Sequence, residues 1–248
     1  MDFLQLFGLI LFGIVGSSFI NYLADVLPTQ RKLGAARCAH CERNRPFDDY
    51  VLLKQCRLCT EKPPKRHWIM LIVMPFLMIL LAFFNDKGIN IWLSALLIHY
   101  FALIVVIDIE HKLILHVTTI FGLLLTGLAG TLRNGFWITF FGALAGFAIM
   151  FIFYLLGILF IKYLNKKREE PIDEVALGFG DVTITTVLGA LLGWPAIIGG
   201  IFVGIFLGGI VSALVLIIGF LNKEQKALYA LPYGPFLVIS SVVLLYAI

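Results

Sequence analysis

Charged residues are scarce in this chain, where Asp, Glu, Lys and Arg make up only 14% of 248 residues. Soluble domains carry about 25%, so this scarcity argues against a soluble globular domain. The 60% hydrophobic content argues equally against disorder. The apolar residues also lack the strict alternation of membrane β-barrel strands. They form long runs, with a mean hydropathy of +0.98, so the composition predicts a helical membrane protein.

Eight apolar runs predict about eight transmembrane helices, and hence an all-α, polytopic helical bundle. The first run lacks the basic region and small-residue cleavage site of a secretory signal, so we interpret it as a membrane span. The sixth and eighth runs are short. The predicted spans are residues 3–23, 68–84, 89–107, 117–132, 137–161, 182–192, 195–220 and 235–248.

The basic residues predict the orientation of these spans. Ten of the 19 Lys and Arg residues lie between residues 24 and 67. If that segment is cytoplasmic and the spans alternate, only Lys87 and Arg133 fall outside, in agreement with the positive-inside rule. Both termini are then outside. Because the basic residues follow membrane topology and form no stripe interleaved with aromatics, we expect contact with membrane lipid and no nucleic-acid partner.

All four cysteines lie in the first loop, in two C-x2-C pairs separated by fourteen residues. A cytoplasmic loop is reducing, so disulfides are disfavoured, and two such pairs can close a tetrahedral zinc site. We expect a structural zinc ion held by Cys38, Cys41, Cys56 and Cys59, with no catalytic role. A redox dithiol remains the alternative. We therefore divide the chain into residues 1–67, the first span plus the zinc loop, and residues 68–248, the membrane core.

Two aspartates mark the predicted cytoplasmic edge of the membrane. Asp108 ends the third span and Asp181 opens the sixth, after Gly178 and Gly180. Neighbouring carboxylates resist joint ionisation, so one can hold a proton while the other acts as a base. Such a pair can activate water and protonate a leaving amine. Alternatives stay open: Asp181 as a helix N-cap, Asp108 as an interfacial residue that faces water, and Glu110 as a rival to Asp108.

Glycines in the seventh span indicate close helix packing. Gly200, Gly204 and Gly208 are spaced by four residues and share one helix face. Small residues at this spacing let neighbouring helix backbones approach each other in membranes. We therefore expect this face to pack against another helix.

Five segments, in order and together covering most of the chain, resemble the type IV prepilin peptidases, aspartic membrane proteases with a G-x-G-D motif. The resemblance implies that Asp108 and Asp181 are catalytic, and that the other motif residues contribute to substrate binding. These are Gly178, Gly180, Pro232, Gly234 and Pro235. The five segments are residues 13–28, the two cysteine pairs, and residues 107–111, 177–182 and 232–236.

The resemblance also implies a substrate and a location. Family members remove the basic leader of type IV prepilins or pseudopilins at the cytoplasmic face of the bacterial inner membrane. Many bacterial members then methylate the new N-terminus with S-adenosylmethionine. We expect this chain to be such an aspartic endopeptidase, with a prepilin or pseudopilin as its partner.

Four departures from the family pattern bear on methylation. The family arginine before Leu27 is Val26, the lysine after G-x-G-D is Thr183, the glycine before Ser18 is Ser17, and residues 114–116 lack the usual proline. The segment between the cysteine pairs is also shorter. No glycine-rich fingerprint for a nucleotide cofactor is present. We expect weak or absent methylation, with S-adenosylmethionine as a cofactor only if methylation is retained.

Three alternative functions use the same residues. A bifunctional enzyme would cleave and methylate. A proton-coupled transporter would line its path with the carboxylates, but the sequence has no inverted repeat to support one. A scaffold protein of a secretion machine would carry a degenerate site, which the intact Asp108 and Asp181 argue against.

Overall fold

The computed structural model describes residues 2–31, 33–38, 41, 43–56, 59–60, 62–84, 89–166, 177–221 and 232–247. These ranges contain nine α-helices and one two-stranded sheet. The chain divides into two compact units, Met1–Val117 and Thr118–Ile248. The functional division proposed after residue 67 stays a prediction.

The first unit is built around a long helix that contacts two others. Its elements are α1 (Phe3–Gln30), β1 (Ala36–Arg37), β2 (Asn44–Arg45), α2 (Asp48–Val51), α3 (Lys65–Phe84) and α4 (Ile91–His111). Helix α1 approaches α3 at Gly13, where a Cβ atom would lie 3.0 Å from the backbone of Pro75. On α4, the His99 ring meets Phe12 of α1 edge to face, with 4.7 Å between centroids. The cysteine loop lies between α1 and α3 in the sequence.

The second unit is held together by close backbone contacts. Its elements are α5 (His116–Asn134), which begins just before the division, α6 (Phe136–Asn165), α7 (Phe179–Leu192), α8 (Ala196–Leu221) and α9 (Gly234–Ala247). A Cβ atom at Gly142 of α6 would overlap the carbonyl oxygen of Gly189 on α7, and one at Gly146 would overlap that of Thr185. Glycine at these positions therefore lets α6 and α7 touch along their backbones.

The packing predicted for the glycines of α8 is confirmed. A Cβ atom at Gly204 would lie 2.9 Å from Leu237, and one at Gly208 would lie 2.9 Å from the ring of Tyr233. Near the other end of this face, the Ser240 hydroxyl donates to the carbonyl of Gly200 over 2.8 Å. The glycine face of α8 is therefore the contact surface for α9 and the residue before it.

Each of the eight predicted spans coincides with a helix, but fewer helices are long enough to cross a bilayer. In the described ranges, α1, α3, α4, α6 and α8 have the length and apolar composition of a membrane span. Helices α7 and α9 have 14 residues each, about 21 Å at 1.5 Å per residue, against a hydrocarbon thickness of about 30 Å. The helical membrane class is confirmed, and the count of eight crossings stays a prediction. The short strands β1 and β2 were not predicted.

Candidate active site

Asp108 lies in the last turn of α4, in the first unit. Its side chain is buried, with 6% exposed, whereas Ile109 and Glu110 are exposed. The helix ends at Lys112, whose backbone adopts a left-handed conformation with φ of 51° and donates its N–H to the Asp108 carbonyl over 2.8 Å. This closing turn holds the Asp108 backbone in place.

Glu110 has a different environment from Asp108. Its carboxylate accepts a hydrogen bond from the guanidinium of Arg66 on α3, and the two form an ion pair. Glu110 therefore has a cationic partner on α3, and the choice of Asp108 over Glu110 for the catalytic pair stays a prediction.

Asp181 is the third residue of α7, in the second unit. Its side chain is half-buried, and its backbone N–H donates to the carbonyl of Gly178 over 3.1 Å. Gly178 itself is the N-cap residue, so Asp181 is not the N-cap, and its carboxylate lies in a first turn where the helix dipole favours negative charge. Thr185 donates its hydroxyl to the Asp181 carbonyl over 2.6 Å.

The G-x-G-D glycines do not depend on a left-handed backbone. Gly178 has φ of −75° and ψ of 145°, an extended conformation that any residue adopts. Gly178 is exposed and Gly180 half-buried, and a Cβ atom at Gly178 would lie 3.7 Å from Asp181 Oδ2, an ordinary contact. The predicted part of these glycines in substrate binding stays a prediction.

The late motif organises the start of α9. The carbonyl of Tyr233 accepts hydrogen bonds from the N–H groups of Phe236 and Leu237. Gly234 and Pro235 are buried in the first turn, while Pro232 is half-buried. Because the Tyr233 ring packs on α8, the contacts of this motif lie within the helix pair. Its predicted part in substrate binding stays a prediction.

The four cysteine sulfurs come together in the first unit. Cys38 and Cys59 are separated by 3.6 Å between Sγ atoms, as are Cys41 and Cys56, and all four sulfurs lie within 4.8 Å of one another. A tetrahedral zinc ion with Zn–S bonds of about 2.3 Å separates its sulfurs by about 3.8 Å. The cluster therefore fits a tetrathiolate zinc site. His40, which lies between Cys38 and Cys41 in the sequence, is outside the described residues.

A small scaffold holds these cysteines against α1. Strands β1 and β2 pair antiparallel, with Ala36 opposite Arg45, and the Cys38 N–H extends the pairing by donating to the Arg43 carbonyl over 2.9 Å. Ala36 packs in a buried cluster with Val26 of α1 and Tyr50 of α2. We call residues 33–60 the cysteine module.

The structure shows the surroundings of two of the departures from the family pattern. Val26, in place of an arginine, is fully buried beneath the cysteine module. Residues 114–116, which lack the usual proline, line a cavity of about 230 Å³ together with Leu27 and the exposed Arg31. Where the family has an arginine, this chain therefore has a packed apolar side chain and no cation.

Sequence reasoning missed a polar cluster at the ends of α1, α3 and α4. It consists of Asn21 and Asp25 on α1, Arg66 on α3, Glu110 on α4 and Tyr50 of the cysteine module. Burial raises the pKa of Tyr50 above its ordinary value, and the Asp25 carboxylate raises it further. Tyr50 therefore stays protonated and donates to Asp25. Asp25 could have indicated this cluster from the sequence, because ionisable residues are rare on apolar helices.

These features define a helical integral membrane protein with a tetrathiol module and one candidate catalytic aspartate in each unit. Residues 95–213, which include Asp108 and Asp181, match the type IV leader peptidase family. The chain is also similar to a prepilin leader peptidase/N-methyltransferase of Pectobacterium carotovorum subsp. carotovorum, with 27% identity over 215 residues. That match covers 83% of this chain and 71% of the relative. The similarity that both comparisons find is to type IV leader peptidases. No solved structure matches this chain.

Proposed function

We propose that this protein is an aspartic endopeptidase that removes the leader peptide of a type IV prepilin or pseudopilin. The observation that carries the proposal is the placement of Asp108 and Asp181. Each lies in a terminal turn of its helix, one buried and one half-buried, within the family-matched residues. Carboxyl groups at helix ends stand at the membrane edge, where a peptide bond and water can both reach them.

The proposed mechanism uses the two carboxyl groups as acid and base. The ionised aspartate removes a proton from water, whose oxygen attacks the scissile carbonyl carbon. The protonated aspartate donates to the carbonyl oxygen and stabilises the tetrahedral intermediate. When the C–N bond breaks, the leaving nitrogen takes up a proton, and the products are a leader carboxylate and a new N-terminal amine. Either aspartate can take either role.

The proposed location is the bacterial inner membrane, with cleavage at the cytoplasmic face. The support comes from charge, because residues 24–67 carry ten of the 19 basic residues, and Asp108 and Asp181 fall on the same side in the predicted topology. An acidic pair also suits a basic leader. The similar protein from Pectobacterium carries prepilin in its name, which supports the same class of substrate.

We propose that Cys38, Cys41, Cys56 and Cys59 hold one structural zinc ion. The sulfur separations support this assignment. A zinc ion with four thiolate ligands has no open coordination position, so it supplies folding free energy and takes no part in catalysis. The ion would fix the module against Val26 of α1.

N-terminal methylation is the second candidate activity, because the similar Pectobacterium protein is named as a methyltransferase as well. We propose that methylation is weak or absent in this protein, since Val26 is buried where the family has an arginine. Incubation of enzyme and prepilin with labelled S-adenosylmethionine tests this. Stoichiometric label on the mature N-terminus would contradict it.

Co-expression with a candidate prepilin tests the peptidase function. Mass spectrometry should find the pilin shortened at a single bond after its basic leader. A control pilin with the residue before that bond changed should remain full length. If several candidate prepilins and pseudopilins stay intact beside abundant, membrane-inserted enzyme, the proposal is wrong.

A further inference from the structure

Arg66 joins α3 to the C-terminal part of α1. Its Nε donates to Asn21 Oδ1 over 3.0 Å, and its Nη2 donates to the Asn21 carbonyl over 3.2 Å and to Asp25 Oδ1 over 2.6 Å. Asn21 is 2% exposed and the Arg66 side chain only 11%. A guanidinium presents its donors in a fixed planar fork, so these bonds set its orientation as well as its position.

The other edge of the same guanidinium reaches α4. Its Nη1 donates to Glu110 and forms an ion pair with it. Glu110 is two residues beyond Asp108, in the same closing turn. A single side chain therefore ties the turn that carries the candidate catalytic aspartate to the ends of two other helices.

The contacts continue from Arg66 into the cysteine module. The second carboxylate oxygen of Asp25 accepts a hydrogen bond from the Tyr50 hydroxyl over 2.7 Å. Above the Tyr50 ring lies the guanidinium of Arg45, 4.9 Å from the centroid, on strand β2. Arg45 is itself buried and donates to the Lys54 carbonyl over 3.1 Å. A continuous series of polar contacts thus runs from β2 to the end of α4.

We propose that Arg66 is a positioning residue for Asp108, which it acts on through Glu110, and that Tyr50 and Asp25 couple the cysteine module to this position. The inference rests on the proposed function, because it requires Asp108 to be catalytic. Removing the guanidinium leaves the carboxylates of Asp25 and Glu110 without their shared cation. The closing turn of α4 then loses its contact with Arg66 of α3. A catalytic group displaced by about 1 Å loses about 100-fold in rate.

The first test compares Arg66→Gln with Lys65→Gln, which removes the same charge from the exposed neighbouring residue. With purified protein and a prepilin substrate, we expect Arg66→Gln to lower kcat by about 10- to 100-fold with little change in KM. Zinc content should stay at the wild-type level, and Lys65→Gln should match wild type. Arg66→Lys, which keeps the charge without the fork, should have an intermediate kcat.

A double-mutant cycle tests the route through Glu110. If Arg66 acts through Glu110, then Arg66→Gln added to Glu110→Ala should cost much less than Arg66→Gln alone. If the two substitutions lower kcat independently, so that their fold-changes multiply in the double mutant, this route is overturned. The cycle also separates positioning from general destabilisation, which affects both backgrounds alike.

Two tyrosines of the same aromatic cluster test the coupling to the module without disturbing packing. Tyr50→Phe removes only the hydroxyl that bonds Asp25, whereas Tyr22→Phe removes a hydroxyl that bonds the Gly34 carbonyl. We expect Tyr50→Phe to lower kcat several-fold and Tyr22→Phe to leave it unchanged. Equal kcat values in the two variants would overturn the coupling.

The same assay distinguishes failure of this inference from failure of the proposed function. If Asp108→Asn still cleaves, the proposed function fails. If Asp108→Asn is inactive while Arg66→Gln and Arg66→Lys keep wild-type kcat, the peptidase assignment stands and the role of Arg66 is wrong. If Arg66→Gln does not accumulate, the values for Arg66→Lys and Tyr50→Phe decide the question.

Discussion

The two units hold their candidate catalytic aspartates by different physical means. In the first unit, Arg66 at the start of α3 contacts Asn21, Asp25 and Glu110, beside the end of α4. In the second unit, Asp181 lies in the first turn of a short helix whose backbone touches that of α6 through glycines. The candidate aspartate of the first unit is therefore flanked by an ion-pair network, and that of the second lies on a helix held by backbone contacts.

The two halves of the proposed site should therefore be sensitive to different kinds of substitution. Loss of a charged partner in a buried pair leaves the other charge uncompensated, so conservative changes at polar positions should affect the first unit. Extra atoms in a backbone contact have no space to occupy, so small-to-large changes should affect the second.

The largest effect is expected from Gly142→Val in the second unit. The new side chain would overlap the Gly189 carbonyl and separate α6 from α7, at a cost of about 3 kcal/mol in the free energy of unfolding. Thermal unfolding in detergent measures this cost. Gly209→Val is the matched control, because a Cβ atom at Gly209 has nothing within 4 Å. An equal loss in both variants would contradict the account of close packing.

A smaller effect, confined to the first unit, is expected from the double change Cys56→Ser/Cys59→Ser. Without two of its four thiolates the module should lose zinc, about one ion per chain in the wild type, and the remaining thiols should react with labelling reagents. Metal analysis of the purified protein measures the zinc. The control Thr60→Ser, next to Cys59 in the exposed part of the module, should keep it. Wild-type protein without zinc and with freely reactive thiols would refute the site.

The smallest effect is expected from Ser240→Ala, which keeps the packing between α8 and α9 and removes one hydrogen bond. The buried Ser240 hydroxyl donates to the Gly200 carbonyl, and such a bond contributes about 1 kcal/mol. Tm should fall by a few degrees while cleavage continues at the wild-type rate. A loss as large as that of Gly142→Val would show that polar contacts, and not glycines, hold the second unit together.

Local patterns predicted much of the fold. Each apolar run became a helix, the two C-x2-C pairs formed one cluster, and the glycine face of α8 met α9, because these features depend on neighbours in sequence or on a fixed period. Helix α1 nevertheless continues to Gln30, beyond the predicted end at residue 23. The apolar run stops at residue 23, but the helix continues through Asp25. The Asp25 carboxylate accepts hydrogen bonds from Arg66 and Tyr50.

The polar cluster of the first unit was not predicted for a related reason. Arg66 lies 41 residues after Asp25 and 44 residues before Glu110, and such pairings have no periodic trace in a single sequence. Asp108 and Asp181 stood out in the sequence because carboxylates near membrane spans are rare, and their catalytic role stays a prediction. Their supporting contacts required the structure, as did the finding that Val26 is buried beneath the cysteine module.

The most direct test of the central claim is the cleavage rate of three purified variants on one prepilin: Asp108→Asn, Asp181→Asn and Glu110→Gln. Each change removes one carboxylate with almost no change in volume, and membrane insertion is verified for each. The account predicts no detectable leader release from Asp108→Asn or Asp181→Asn, and a far milder loss from Glu110→Gln, whose amide oxygen still accepts from Arg66. Wild-type cleavage by either aspartate variant would contradict the two-aspartate mechanism.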